Sequence, residues 1–286
     1  MPKIAFVADV HHGKDVMTKK SSQGLRLLAG FAAFVAAGDA EIVVDLGDRI
    51  SDENHDRDLV LEREVAEGFA AIPRPVHHIN GNHDRDFISV AENEAILGQK
   101  LGHAVVDLGA WKVILWRADT HIHRRPEGSS FQLGDGDLDW LAATLAAAEK
   151  PCVLATHVPL SGQSQRSNYY FHNNVGIASY PELDAIQAVL RTARVPLVCI
   201  SGHVHWNSVV TVDGIPHITL QSLTESCTTG GEPAEAWGVL ELGDLIRWTA
   251  HGRQHFAFET DAASTMQRWP EPHGNFAEMR RKAVAG

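Results

Sequence analysis

Sulfur is scarce in this chain. Three cysteines among 286 residues, an odd number at wide spacing, supply neither a disulfide framework nor a CxxC metal knuckle. Cys152 and Cys199 sit inside apolar runs and read as small buried hydrophobes. Nowhere do about 20 apolar residues run together, so no membrane span is expected. The first residues, MPKIAFVADV, enter a strand-like run without the basic start, long apolar stretch and small-residue cleavage site of a secretory leader. With reduced cysteines, this predicts a cytoplasmic protein. Basic charge is short as well. Lys and Arg total 25 against 36 Asp and Glu, and the net charge of −11 argues against a general duplex-DNA binder. Small anionic substrates stay allowed, because bound cations reverse a local field. The sequence also has no internal repeat, low-complexity tract or linker-like stretch.

What is present points to a packed globular protein. A hydrophobic share of 44% is enough for a sizeable core. Seventeen histidines are many for this length, and no tag-like tract explains them, which leaves metal binding or proton transfer. Strands are predicted at 3–8, 41–46, 75–79, 103–108, 111–116, 152–156 and 196–201. Most are nearly continuous apolar runs, as in strands covered on both faces. Helices are predicted at 22–37, 58–71, 88–98, 137–148 and 181–193. Asp137 is read as capping the fourth, and Ser179 or Tyr180 as preceding Pro181 in the first turn of the fifth. After 206 the texture becomes antiparallel, with hairpins expected around Asp213-Gly214 and Gly243-Asp244. The reading is one mixed α/β layered domain over 1–260. A polar tail over 261–286 is expected to attach loosely, with Trp269 and Phe276 available to dock it.

Chemistry collects where strands end. The first strand is followed by Asp9, His11 and His12, the second by Gly47, Asp48 and Arg49, and the third by Asn82, His83 and Asp84. Two later strands end at His157 and at His203 and His205. Sites in α/β sheets form at the carboxyl ends of strands. Oxygen and imidazole donors without sulfur suit Mn, Fe or Zn in a hydrolytic site. Taken singly, Asp9 could cap a turn and His157 could be a core histidine. His203 and His205, two apart, would face the same side of an extended segment. A chance arrangement would not put ligand types after nearly every central strand.

The ordered series DVH, GDR, GNHD, H and GHVH, spanning residues 9–205, resembles the calcineurin-like metallophosphoesterase superfamily. In layout it is similar to class III cyclic nucleotide phosphodiesterases. The resemblance implies a four-layer αββα sandwich of two mixed sheets flanked by helices. It implies two metal ions about 3.5–4 Å apart, as in other two-metal sites. By that resemblance Asp9, His11 and His205 hold the first metal, and Asn82, His157 and His203 hold the second. Asp48 bridges both, a bridging hydroxide attacks phosphorus, and His83 assists the leaving group. Asp84 then either orients the His83 ring or merely closes the turn.

The expected substrate is a small phosphate ester, preferably a nucleotide-like or organic phosphodiester. A phosphomonoester or nucleotide pyrophosphate is the alternative, with nuclease and non-catalytic scaffold further behind. GDR is not followed by the VDRG continuation associated with Ser/Thr phosphatases. Segment 117–132 holds Arg117, His121, His123, Arg124 and Arg125, which either face water or bind anions at the cleft rim. Segment 158–180 is long for a connection and reads as a lid or a partner surface. Candidate substrate contacts are Arg49, His123, Arg124, Tyr169, Tyr170 and His172. The C-terminal hairpins and the aromatic loop are candidate seams of a homo-oligomer.

Overall fold

A computed structural model describes every residue except 127, 164, 271–273, 277, 278 and 282–286. The first sheet runs through strands β1 (Lys3–Val7), β2 (Ile42–Asp45) and β3 (Val76–His78). The second contains β4 (Ala104–Leu108), β5 (Trp111–Leu115), β8 (Cys152–Ala155), β9 (Leu197–Ser201), β10 (Ser208–Val212) and β11 (Ile215–Thr219). A small ribbon, β6 (His123–Arg125) with β7 (Gly128–Ser130), stands apart. The chain then returns to the first sheet with β12 (Trp237–Leu242), β13 (Leu245–His251) and β14 (Phe256–Asp261). The sheet orders are β14-β13-β12-β1-β2-β3 and β10-β11-β9-β8-β5-β4. In the first, β1, β2 and β3 are parallel while β12 to β14 are antiparallel. In the second, β5, β8, β9 and β11 are parallel.

The near-continuous apolar runs are explained by burial on both faces. Along β1, Ile4 and Phe6 enter the core between the sheets, where they meet Val113, Val153, Val198 and Trp248. The intervening Ala5 and Val7 face outward beneath α1 (Gly24–Ala37) and α2 (His55–Ala70), against Leu28, Phe31, Leu61 and Val65. The period-2 pleat therefore gives one strand two apolar partners. The second sheet repeats the arrangement. Ile114, Leu154, Leu197 and Cys199 lie under α4 (Asp137–Ala146) and α5 (Leu183–Arg191), against Leu141, Leu145, Ile186 and Leu190. The result is the four-layer αββα sandwich. No described helix is long and apolar enough to cross a membrane.

Side chains cap the second and third helices, whereas the starts expected for α4 and α5 differ. Asn54 accepts the Arg57 N–H at 3.1 Å to start α2. Ser89 and Glu92 form a capping box at α3 (Val90–Leu97). Asp137, however, does not cap α4. Gly136 is its N-cap, and the Asp137 carboxylate instead accepts N–H groups of Gly134 and Asp119 at 2.8 and 3.1 Å. Helix α5 begins at Leu183, after Pro181, not with it. The preceding residues are committed to the body: Ser179 Oγ donates to the Pro159 carbonyl and Tyr180 Oη to that of Asp119. Both expected hairpins form, and Asp213 and Gly214 adopt φ of 52° and 83° at the first. Strand β14 and the β6–β7 ribbon lie outside the predicted strands, because both are short or only half-buried.

The tail expected from 261 lies partly outside the described residues. Within them, Arg268 donates to the carbonyls of Arg191, Ala193 and Thr265. The Trp269 N–H bonds Asp213, while the Trp269 side chain is exposed.

Candidate metal centre

The site sits at the carboxyl ends of β1, β2, β3, β8 and β9, and the loops after β1, β2 and β9 are strained in one shared way. Asp9, His11, Asp48, His203 and His205 all have positive φ, between 47° and 68°. Non-glycine residues rarely adopt this conformation, and each such case costs about 1–3 kcal/mol. The loops hold one another there. Asp9 N–H donates to the Gly47 carbonyl and His11 N–H to the Asp48 carbonyl, both at 2.9 Å, and Gly202 N–H reaches that of His157 at 3.1 Å. Two glycines make room for carboxylates. A Cβ on Gly81 would lie 2.1 Å from Asp48 Oδ1, and one on Gly202 would lie 2.6 Å from Asp9 Oδ2.

Two groups of donor atoms result, one from Asp9, His11, Asp48 and His205 and one from Asp48, His157 and His203. Within each group the donor atoms lie within 4.8 Å of one another, and every residue is buried. In the first, His11 Nε2 is 3.0 Å from His205 Nε2 and 3.7 Å from Asp48 Oδ2, and His205 Nε2 is 3.4 Å from Asp9 Oδ1. In the second, His157 Nε2 is 3.5 Å from Asp48 Oδ2 and 3.4 Å from Asn82 Oδ1. Asp48 is common to both. The structure differs from the sequence reading at GHVH. With both histidines left-handed the segment is not extended, so the rings diverge, His203 beside His157 and His205 beside His11.

Three of the four imidazoles are oriented from behind, and His11 Nδ1 has no hydrogen-bond partner among the described residues. His157 Nδ1 donates to the Leu46 carbonyl at 2.8 Å and His203 Nε2 to the Ile177 carbonyl at 2.7 Å. His205 Nδ1 bonds Glu225 Oε2 at 2.9 Å, and Glu225 also accepts the N–H groups of Ser226 and Cys227. Such partners choose the tautomer and so decide which nitrogen is left for a metal.

The electrostatics fit a cation pair. Burial pushes the Asp48 carboxyl up to about 7; His83 opposes that shift, and the nearby Asp9 and Asp84 add to it. Burial lowers His11, His157 and His203, keeping these rings neutral as ligands must be. Burial also opposes charge on His205, but its hydrogen bonds to Asp9 and Glu225 outweigh this and raise it to about 9. Its Nε2 faces His11 Nε2 across 3.0 Å, and a bound cation would take over the role of that proton. Hard oxygen and imidazole donors, sharing one carboxylate, suit two first-row divalent ions.

Beside this cluster, His83 Nδ1 is hydrogen-bonded to Asp52, not to Asp84. The hydrogen bond to His83 pulls the Asp52 carboxyl below its usual range, against the opposing effect of burial. Asp84 lies beneath the floor, where its carboxylate accepts the N–H groups of Asp48, Arg49 and Gly81 at 2.8–2.9 Å. Its role is to tie the second and third strand-end loops together. Arg49 is corrected in the same way. It is fully buried, with Nε on Glu62 at 2.6 Å and its other nitrogens on Asp45, Asn80, Asn93 and the Ile79 carbonyl. No donor is left for a substrate.

A cavity of about 260 Å³ opens over the cluster, bounded by Asp48, Asn82, His83, His203 and His205 on one side and by Lys19, Arg124, Tyr170 and Phe171 on the other. Arg124 is paired with Asp86 at 2.7 and 2.9 Å. Tyr170 Oη meets Thr18 Oγ1 at 2.8 Å, and its ring packs edge-on against His205. Three expected contacts are not brought here. His123 lies in β6 against His121, Tyr169 is exposed, and His172 Nδ1 accepts the Ser167 N–H. Asp52, Glu225 and Lys19 were missed. Asp52 carried a weak signal, an acid four residues after Asp48; Glu225 and Lys19 carried none.

Residues 2–207 match the family model described as calcineurin-like phosphoesterase. No curated protein matches the chain. Among solved structures, a dimetal phosphatase from Danio rerio superposes with a TM-score of 0.71 at 17% identity, covering 91% of this chain and 99% of that one. Purple acid phosphatase PPD1 from yellow lupin superposes with a TM-score of 0.61 at 12% identity, covering 95% of this chain and 57% of the lupin chain. At these identities the likeness is one of fold.

Proposed function

The chain belongs to the calcineurin-like phosphoesterase family, and from that premise we propose that this dimetal phosphoesterase hydrolyses a small nucleotide-like or organic phosphodiester. The observation that carries the reading is Asp48, shared by two buried donor groups directly beside a histidine that belongs to neither. Asp9, His11, Asp48 and His205 would hold one cation and Asp48, Asn82, His157 and His203 the other, and the pair would supply Lewis acidity toward the phosphoryl group and lower the pKa of water. The chain's own residues supply the rest. His83, its Nδ1 held by Asp52, keeps Nε2 for the cavity and delivers a proton to the departing oxygen. The His83 N–H bonds Asp48 Oδ1 at 2.8 Å, which couples the acid's position to the bridging carboxylate. Tyr170 and Phe171 close the cavity and limit bulk water at the reacting centre. Monoester or pyrophosphate cleavage is the second reading, favoured by the buried Lys19 in the wall.

Protein reconstituted with Mn, Fe or Zn is assayed on bis(p-nitrophenyl) phosphate, p-nitrophenyl phosphate and cyclic AMP. The diesters are expected to turn over faster, and much higher monoester activity would sink the diester assignment. His83→Ala is expected to keep its metal content and to lose about 10²–10⁴ in turnover, most severely with poor leaving groups. Loss of metal instead would make His83 a ligand or a structural residue.

A further inference from the structure

We propose that Lys19 forms a second anion subsite beside the metal centre, one that takes a further phosphoryl or carboxylate group of the substrate. This rests on the phosphoesterase reading above. Lys19 lies between β1 and α1 and is only 6% exposed. Backbone pairing with Val16 and Glu225 fixes its main chain. Its side chain lines the cavity together with Asp48, His83 and His205. Among the described residues its ammonium makes no hydrogen bond or ion pair.

The neighbouring charges are already matched. Arg124 is on Asp86, His83 on Asp52, and His205 on Glu225. An ammonium on so little-exposed a side chain, with no partner among the described residues, is unfavourable, and the field of Asp48, Asp52, Asp9 and Glu225 partly compensates it. Asp9 and Asp48 withdraw that compensation once they are committed to cations. Two divalent cations against Asp9 and Asp48 leave the centre positive. One monoanionic diester offsets only one charge of that excess and of Lys19, and a second anionic group on the same substrate offsets more of it. The cavity has room for this and little more, since about 260 Å³ is below the usual ~300–1,000 Å³ of pockets for drug-sized ligands. The preferred substrate is thus a compact phosphoester with a neighbouring anion, and a nucleoside would have to project past Tyr170 and Phe171.

The test is calorimetric binding of inorganic pyrophosphate, phosphonoacetate and orthophosphate to the metal-loaded protein and to its Lys19→Met, Lys19→Gln and Lys19→Arg variants. Melting temperature and metal content serve as controls for folding. The two neutral variants are expected to lose about tenfold or more in affinity for pyrophosphate or phosphonoacetate and less than about threefold for orthophosphate, with Lys19→Arg recovering most of the loss. The probe that loses more identifies the second group as phosphoryl or carboxylate. Parallel losses for all three anions would place Lys19 on the scissile phosphoryl and overturn the second subsite, as would no loss at all. Absence of any phosphoester turnover by the wild type would instead sink the phosphoesterase reading, leaving the affinity difference to be judged by itself.

Discussion

The half of the centre around Asp9, His11 and His205 is anchored by charge, whereas the half around Asn82, His157 and His203 is anchored by backbone carbonyls. His205 is backed by the buried carboxylate of Glu225, and Asp9 adds a second negative charge beside it. His157 and His203 lean on the carbonyls of Leu46 and Ile177, and Asn82 adds only a neutral oxygen. The same ligand types therefore give unequal electrostatics. A carboxylate behind an imidazole raises its basicity more than an amide carbonyl does. The first half is expected to hold its cation more tightly and the second to exchange it more readily, with Asp48 linking the two.

The comparison can be broken at its shared member first. Asp48→Asn is expected to reduce metal content, measured by elemental analysis, below two ions per chain and to cut turnover about a thousandfold. Retention of both ions with near-normal activity would show that the halves do not depend on a common carboxylate. The next test separates them. Glu225→Gln is expected to weaken one of two cation-binding steps by about 10–100-fold in a metal titration, leaving the other nearly unchanged. Equal weakening of both would erase the proposed asymmetry.

A last test is of stability against pH. The folded pKa of His205 is raised to about 9, so its contribution is complete below the unfolded value near 6.5 and is lost as pH rises through 9. Asp48, raised to about 7, disfavours the folded state increasingly as pH rises from its unfolded value near 4 to 7. Both terms make the chelator-treated protein less stable from pH 5 to 9. Metal loading removes both, so the gap in melting temperature between loaded and EDTA-treated protein is expected to widen over that range. Each kcal/mol corresponds to about 2–4 °C. A gap independent of pH would contradict the buried-charge account.

Legibility differed by level. The layered fold could be read because strands apolar on both faces need cover on both faces, as Ile4 and Phe6 against Ala5 and Val7 demonstrate. The donor residues could be read because they directly follow strands, and chain order alone brings them to one edge. Residues behind the donors were misjudged or missed. Asp84 and Arg49 stood in the motif and looked functional, yet they are joined in the floor, 3.3 Å apart. Nearness in sequence to a ligand says little about which way a side chain turns when the loop curls tightly, left-handed at Asp48 before Arg49 and as a single 3-10 turn at Asp84.

By itself the sequence determined the ligand chemistry and the strand ends that carry it, since residue type and the alternation of strand and helix are local properties. Only the tertiary structure decided that His203 and His205 separate, that Asp52 and not Asp84 holds His83, that Glu225 backs His205 and that Lys19 lines the cavity. Those outcomes depend on how loops far apart in the chain brace one another against backbone strain, and no local pattern encodes that.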